Sequence, residues 1–172
     1  IFPNIKVCRL DVDTAGTKSA HEKIIREFEE GKVDVLVGTQ MVSKGLDFER
    51  VRLVGILSAD ALLNFPDFRA YERAYQMMAQ VSGRAGRKNK RGLVVIQTNS
   101  PDHPIIELVK NNDYQMLYKE QILQRQVYKY PPFYRLIYIN LKGREFEKVE
   151  KAAQFLAVQM RKVFSDRVYG PD

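Results

Sequence analysis

Four short runs rich in branched apolar residues recur along the first part of the chain, and they constrain the fold more than any other feature. They are Ile5–Leu10, Val33–Val37, Val51–Leu57 and Gly92–Gln97. The first alternates apolar and polar positions, the second and third are typical of buried strands, and the fourth is also predicted to be a strand. Helical spacing of apolar residues separates them, over 18–30 and again from Arg69 onward. Strands that alternate with helices in this way predict an α/β fold with a mainly parallel sheet.

A second domain is predicted after the loop-forming segment Asn99–Pro104. One or two helices are expected over 105–127, with a break near Asn111 and Asn112. We therefore place the domain boundary at residue 100, with domains 1–100 and 101–172.

The second domain is expected to be a smaller α+β unit. Residues 133–141 alternate as a strand, and 146–164 carry one continuous apolar stripe, which indicates an amphipathic helix. The chain starts at Ile1 without a methionine and stops at Asp172 within another strand-like segment, so we expect it to be a piece of a longer protein.

Charge and cysteine usage narrow the function classes. The formal net charge of +7 favours a polyanionic partner such as nucleic acid. The single cysteine, Cys8, excludes an internal disulfide and any metal site built from cysteines of this chain. No apolar run approaches the length of a membrane span, so we expect a soluble, cytoplasmic protein without a membrane partner.

The segment 80–87 concentrates arginine, glycine and glutamine. If a helix runs through it, Gln80, Arg84 and Arg87 fall at i, i+4 and i+7, on one face. Two guanidiniums on one face suit a phosphate chain, and Gly83 and Gly86 let a ligand approach closely. The alternative is a basic helix end that only complements the helix dipole.

A second polar segment, 38–47, follows the second predicted strand. Ligands of open parallel sheets bind beyond the carboxyl ends of the strands, and we expect this segment, residues 58–69 and the arginine segment all to lie there. Thr39 and Ser43 are four residues apart and could contact neighbouring phosphates, with Lys44 adding charge nearby. Asp47 offers a carboxylate suited to a ribose hydroxyl. Read singly, each of these residues is more consistent with a turn, and it is their joint placement that favours a binding site.

Several catalytic sets are missing from the sequence. There is no Gly-x-x-x-x-Gly-Lys-Ser/Thr loop, no Asp-Glu pair after a strand to hold Mg²⁺, and no Ser/His/Asp or Cys/His set. A small-molecule α/β enzyme is therefore disfavoured. The chain carries parts that could assist phosphoryl transfer, without those that would bind the triphosphate and metal.

Taken in order, the segments Gly38–Phe48 and Gln80–Arg87 resemble motifs V and VI of superfamily 2 helicases. Further phrases extend the likeness to the bacterial replication-restart helicases, which are ATP-dependent 3′→5′ DNA helicases that restart stalled forks and initiate primosome assembly. These phrases are Val12-Asp13-Thr14, Ala59-Asp60, Pro66–Ala70, Glu72-Arg73 and Tyr130–Phe133. The resemblance implies that residues 1–100 form a second RecA-like helicase lobe and that the beginning of the family's C-terminal domain follows.

By this resemblance, Arg87 is the arginine finger that reaches the γ-phosphate of ATP, and Arg84 assists at the phosphates. Gln80 senses the nucleotide and Asp47 contacts the ribose. The glycines of the implied nucleotide site are Gly45 and Gly83, and the implied contacts to the DNA backbone are Thr39, Ser43 and Lys44.

The resemblance also implies cofactors and partners. ATP and Mg²⁺ are expected in the full-length protein, whereas zinc is expected only in a cysteine-rich module upstream of this chain. The implied partners are forked or single-stranded DNA, single-strand binding protein, primosome proteins and the first helicase lobe of the same chain, at the nucleoid. This fragment alone is not expected to hydrolyse ATP. A non-catalytic module that docks DNA or a partner remains the alternative.

Overall fold

The computed structural model describes residues 3–11, 18–39, 48, 50–85 and 92–171. Its contacts divide the chain into two compact units, Ile1–Tyr128 and Lys129–Asp172. The elements of the first unit are β1 (Val7–Leu10), α1 (Lys18–Glu29), β2 (Val35–Gly38), β3 (Leu53–Ile56), α2 (Ala59–Leu63), α3 (Ala70–Ser82), β4 (Leu93–Ile96), α4 (Pro104–Asn111) and α5 (Tyr114–Val127). The second unit contains α6 (Phe146–Phe164) and a 3₁₀ turn, Ser165–Arg167.

Both strand pairs of the first unit are parallel, which confirms the predicted α/β class. Strand β1 pairs with β2, and β3 pairs with β4. Among the described strands these ladders form two separate two-stranded sheets. Each pair is connected through a helix, as parallel strands require.

The strands bury one face rather than the two expected from their composition. In the β3–β4 ladder Val54 is buried, whereas Leu53 and Leu93, which are register partners, are 60% and 62% exposed. Successive side chains of a strand point to opposite faces, so a single covering layer leaves every second residue exposed. In the described part of the chain, the helices that follow β3 cover only one of these faces.

The main core lies between four helices, α2 to α5. Its buried residues are Ala59, Leu63, Ala74, Tyr75, Met78, Ile105, Ile106, Val109 and Leu117. The last four come from α4 and α5, which were assigned from sequence to the second domain. Because these helices bury their apolar faces against α2 and α3, the contact boundary falls after Tyr128 and not at residue 100.

Side-chain caps explain where α4 and α5 begin. The His103 Nδ1 accepts a hydrogen bond from the Ile105 amide at 3.2 Å, and Pro104 occupies the first helical turn. The Asp113 carboxylate accepts from the Met116 amide at 2.9 Å. Between the two helices Asn112 adopts a left-handed conformation with φ 52°, which confirms the predicted break.

A short helix, α2, lies within the polar segment 58–69 that follows β3. It begins after Ser58, whose φ of 56° turns the chain sharply out of β3. Asp60 in its first turn is anchored to residues that follow β4, and Ala59 and Leu63 are buried in the core. These contacts come from distant parts of the sequence, and they select helix over loop.

In the second unit, helix α6 matches the predicted helix at both ends. The predicted strand over 133–141 is wrong for the described residues, because the segment forms no ladder there. Its alternation supplies strand propensity, but a strand needs a hydrogen-bonded neighbour to persist. Side chains such as Ile137 remain exposed to solvent.

Candidate functional site

Three of the predicted site residues, Gln80, Gly83 and Arg84, lie at the C-terminal end of helix α3. It forms because Ala74, Tyr75 and Met78 recur at helical spacing and bury one face in the core. Gln80, on the last turn, lies away from that face and is exposed, and Arg84 follows two residues after the helix ends. The core side of the helix thus fixes the direction in which the polar residues project.

The chain does not leave α3 abruptly. Gly83 keeps a helical backbone, and the amides of Arg84 and Ala85 donate to the carbonyls of Val81 and Ser82 at 3.0 and 3.1 Å. These three-residue hydrogen bonds tighten the last turn. The helical path predicted for Gln80 and Arg84 is therefore continued in tighter form, and Arg84 is half-buried on it.

The backbone does not explain the glycine at position 83. Its φ is −64°, which any residue adopts, and an added Cβ would meet the Ala79 carbonyl oxygen at an ordinary 3.5 Å. A glycine here is therefore not demanded by strain or by packing within the described residues. Close approach of a ligand stays a prediction that would account for it.

Thr39 lies where the sequence predicted it, directly after the carboxyl end of β2. Gly38 is in register with Leu10, so the residues that follow β1 and β2 are neighbours. Asp11, which follows β1, is 7% exposed and forms an ion pair with Arg9. Sequence reasoning did not single out this buried carboxylate. Its only signal was an acidic residue directly after an alternating strand.

Five of the predicted site residues lie outside the described residues. They are Ser43, Lys44, Gly45, Asp47 and Arg87. Their assigned roles stay predictions, as do the roles of Thr39, Gln80, Gly83 and Arg84.

A polar cluster marks the carboxyl ends of β3 and β4. The Asp60 carboxylate accepts hydrogen bonds from the Thr98 hydroxyl at 2.8 Å and from the Asn99 amide at 3.0 Å. The Asn99 amide and the Thr98 hydroxyl lower the pKa of the Asp60 carboxyl below its ordinary value. These bonds tie α2 to the residues after β4, so Asp60 organises this edge of the sheet.

The arginine segment was expected at the carboxyl edge together with residues 38–47 and 58–69. Strands β3 and β4 are parallel, so α3 lies on the connection from the carboxyl end of β3 to the amino end of β4. Gln80 and Arg84 lie late on this connection, and Thr39 follows the carboxyl end of β2. That the arginine segment shares an edge with residues 38–47 stays a prediction.

No helix within the described ranges has the length and apolar character that a membrane span requires.

Comparison with known proteins gives independent information on the family of this chain. Residues 2–89 match the family described as helicase conserved C-terminal domain. The replication restart protein PriA of Bacillus subtilis is 48% identical over 160 residues, covering 91% of this chain and 20% of that protein. PriA of Synechocystis is 45% identical, covering 91% and 19%, and PriA of Haemophilus influenzae is 36% identical, covering 99% and 24%. The predicted resemblance to replication-restart helicases is confirmed.

The chain spans about a fifth of the length of these curated relatives. Among solved structures, the C-terminal domain of the DEAD-box protein Dbp5 is similar with a TM-score of 0.44 and 18% sequence identity, over 74% of this chain and 70% of that one.

Proposed function

This chain belongs to the helicase conserved C-terminal domain family, and from that premise we propose that it is the second lobe of an ATP-dependent 3′→5′ DNA helicase. The full-length protein would restart stalled replication forks and initiate primosome assembly, acting in the cytoplasm at the nucleoid. The proposal is supported by the PriA relatives, which match nearly the whole of this chain.

We propose that this lobe completes a nucleotide pocket whose triphosphate- and metal-binding parts belong to a first lobe. Arg87 acts as the arginine finger, Arg84 assists at the phosphates and Gln80 senses the nucleotide. The observation that carries this proposal is the tightened end of α3, where an exposed Gln80 is followed on one helical path by Arg84. A short, hydrogen-bonded turn of this kind holds residues 80–85 in place before a ligand arrives, which is what electrostatic catalysis requires.

The remaining roles are proposed by family likeness. Asp47 with Gly45 would approach the ribose, Gly83 would admit the phosphates, and the DNA backbone would be held by Thr39, Ser43 and Lys44. ATP and Mg²⁺ are the proposed cofactors, and zinc is assigned to an upstream module only. DNA, the first lobe, single-strand binding protein and primosome proteins are the proposed partners.

The decisive experiment replaces Arg87 with Ala in the full-length protein and measures DNA-stimulated ATP hydrolysis. An arginine finger contributes about 10³–10⁵ to kcat in related phosphoryl transfers, so a loss of that order is expected. Arg26→Ala is the matched control, because it removes an exposed arginine from the last turn of α1. Turnover of the Arg87 variant within about threefold of the control would refute the finger.

The same experiment distinguishes the alternative, a DNA- or partner-docking module without a catalytic role. That module would bind DNA with a steep salt dependence, through its net positive charge, while ATP hydrolysis would not depend on Arg87.

A further inference from the structure

Glu72 is shared by two arginines that come from different parts of the chain. Arg69 donates from Nε and from one terminal nitrogen to its carboxylate, at 3.2 and 3.3 Å. Arg125 donates to the same carboxylate at 2.5 Å. The side chains of Arg125 and Glu72 are only 18% and 22% exposed, so the pair between them is partly removed from water. A planar guanidinium is suited to this ion pair, because its N–H groups point in fixed directions.

The Arg125–Glu72 pair joins two helices that both bear on the proposed function. Glu72 lies in the first turn of α3, whose far end carries Gln80 and leads to Arg84. Arg125 lies in the last turn of α5, just before the first unit ends at Tyr128. Arg125 also stands over the Phe68 ring, with 5.2 Å from the guanidinium carbon to the ring centroid.

A second contact between the same helices lies at the other end of α5. There the rings of Tyr75 and Tyr114 are 6.2 Å apart, and Leu117 is buried in the same core cluster as Met78. Helix α5 thus contacts α3 through apolar side chains near its start and through an ion pair near its end. Two attachment points fix the angle between two helices, whereas one would leave it free to vary.

Stability alone is a poor account of the ion pair. Partly buried pairs gain little net free energy, because desolvation offsets the Coulomb attraction. In some proteins such groups instead select one arrangement over others.

We propose that Arg125 is a positioning residue that ties α3 to α5, so that a nucleotide-dependent shift of α3 is carried to α5. This inference rests on the proposed function, because it assumes that the end of α3 responds to ATP. It assigns Arg125 to the coupling of ATP hydrolysis to DNA unwinding, not to the chemistry of hydrolysis.

The test uses the full-length protein and four variants: Arg125→Ala, Arg125→Lys, Glu72→Gln and the double variant Arg125→Ala/Glu72→Gln. The control is Lys110→Ala, which breaks an ion pair within α4 alone, to Glu107 at 2.6 Å. The main readout is the number of base pairs unwound per ATP hydrolysed, measured beside kcat and the KM for ATP. This ratio does not depend on the folded fraction, because unfolded molecules neither hydrolyse nor unwind.

We expect Arg125→Ala and Glu72→Gln to lower base pairs unwound per ATP by about tenfold, the size typical of residues along a coupling network. The KM for ATP should stay within about twofold of wild type, since the proposed role gives Arg125 no contact with the nucleotide. The double variant should be no worse than the stronger single variant, because each single substitution already removes the Arg125–Glu72 pair. Arg125→Lys keeps the positive charge but loses the planar set of N–H donors. The number of base pairs that it unwinds per ATP should therefore lie between the values for Arg125→Ala and wild type.

The inference would be overturned if both single variants unwound as many base pairs per ATP as Lys110→Ala. It would also be overturned if the fold-loss in the double variant equalled the product of the two single fold-losses. A purely structural role would lower thermal stability and kcat together and leave the ratio at its wild-type value, which overturns it too. Wild-type protein without DNA-stimulated ATPase would instead refute the proposed function, so the two failures are distinguishable.

Discussion

Leu117 and Leu123 lie on the same helix, α5, in opposite environments, and this allows a stringent test of the core. Leu117 is 1% exposed and belongs to the main cluster, whereas Leu123 is 61% exposed. Leucine to alanine is the same chemical change at both sites and has the same small effect on helix propensity. Any difference between the two variants therefore measures burial.

The expected magnitude for Leu117→Ala follows from the group removed. Three buried carbons contribute about 2.4 kcal/mol at ~0.8 kcal/mol each. The cavity left behind adds to this, so the expected loss is roughly 2–5 kcal/mol. Leu123→Ala should change the free energy of unfolding by less than about 0.5 kcal/mol.

Urea denaturation of the 172-residue chain, followed by far-ultraviolet circular dichroism, gives the free energy of unfolding of each variant. At about 2–4 °C per kcal/mol, the thermal midpoint should fall by roughly 4–20 °C for Leu117→Ala and hardly move for Leu123→Ala. Equal losses at the two sites would refute the packing of α5 against α3 and α4. The slope of free energy against urea should be unchanged, since a change in slope would report an altered unfolded state.

Two further predictions concern polar contacts. Asp113→Ala removes the side-chain acceptor for the Met116 amide at the start of α5 and should lower the free energy of unfolding by about 0.5–2 kcal/mol. The control Glu120→Ala, at an exposed position on the same helix, should lower it clearly less. Equal thermal midpoints for the two variants would contradict the cap. The pKa of the Asp60 carboxyl is lowered in the folded chain by the Asn99 amide and the Thr98 hydroxyl, so its contribution to stability is present above the unfolded value, near pH ~4, and is lost as pH falls through the folded value. Asp60→Asn should therefore flatten the fall of the thermal midpoint between neutral and acid pH, and an unchanged pH profile would contradict those hydrogen bonds.

Local patterns in the sequence were enough to predict much of the fold. The apolar stripe of α6 gave both of its ends, and the break between α4 and α5 followed from the asparagines at 111 and 112. In such cases the determinants lie within a few residues of the structure they specify. The resemblance to helicases was likewise carried by short contiguous motifs, and the family match confirms it.

The features that sequence reasoning missed depend on residues far apart in the chain. Helix α2 is stabilised by the contact of Asp60 with Thr98, 38 residues away. The later boundary depends on Ile105 and Leu117 packing against helices that precede them by tens of residues. No periodicity records such pairings, because the spacing between the partners is set by the loops and not by a helix or strand repeat.

The position of the arginine segment relative to residues 38–47 stays a prediction for another reason. Spacing predicts that Gln80 and Arg84 share a helical path, but the sheet edge that this path reaches depends on how distant strands are connected.

The Glu72 carboxylate, which pairs with two arginines, also restricts the substitutions that this chain can accumulate during evolution. A neutral replacement there would remove the carboxylate that Arg69 and Arg125 share, and a basic residue would place three positive groups close together. Compensation would have to arise at Arg69 and Arg125 together, and these positions are separated by a strand and two helices. Homologous chains should consequently change all three positions as a set or retain all three.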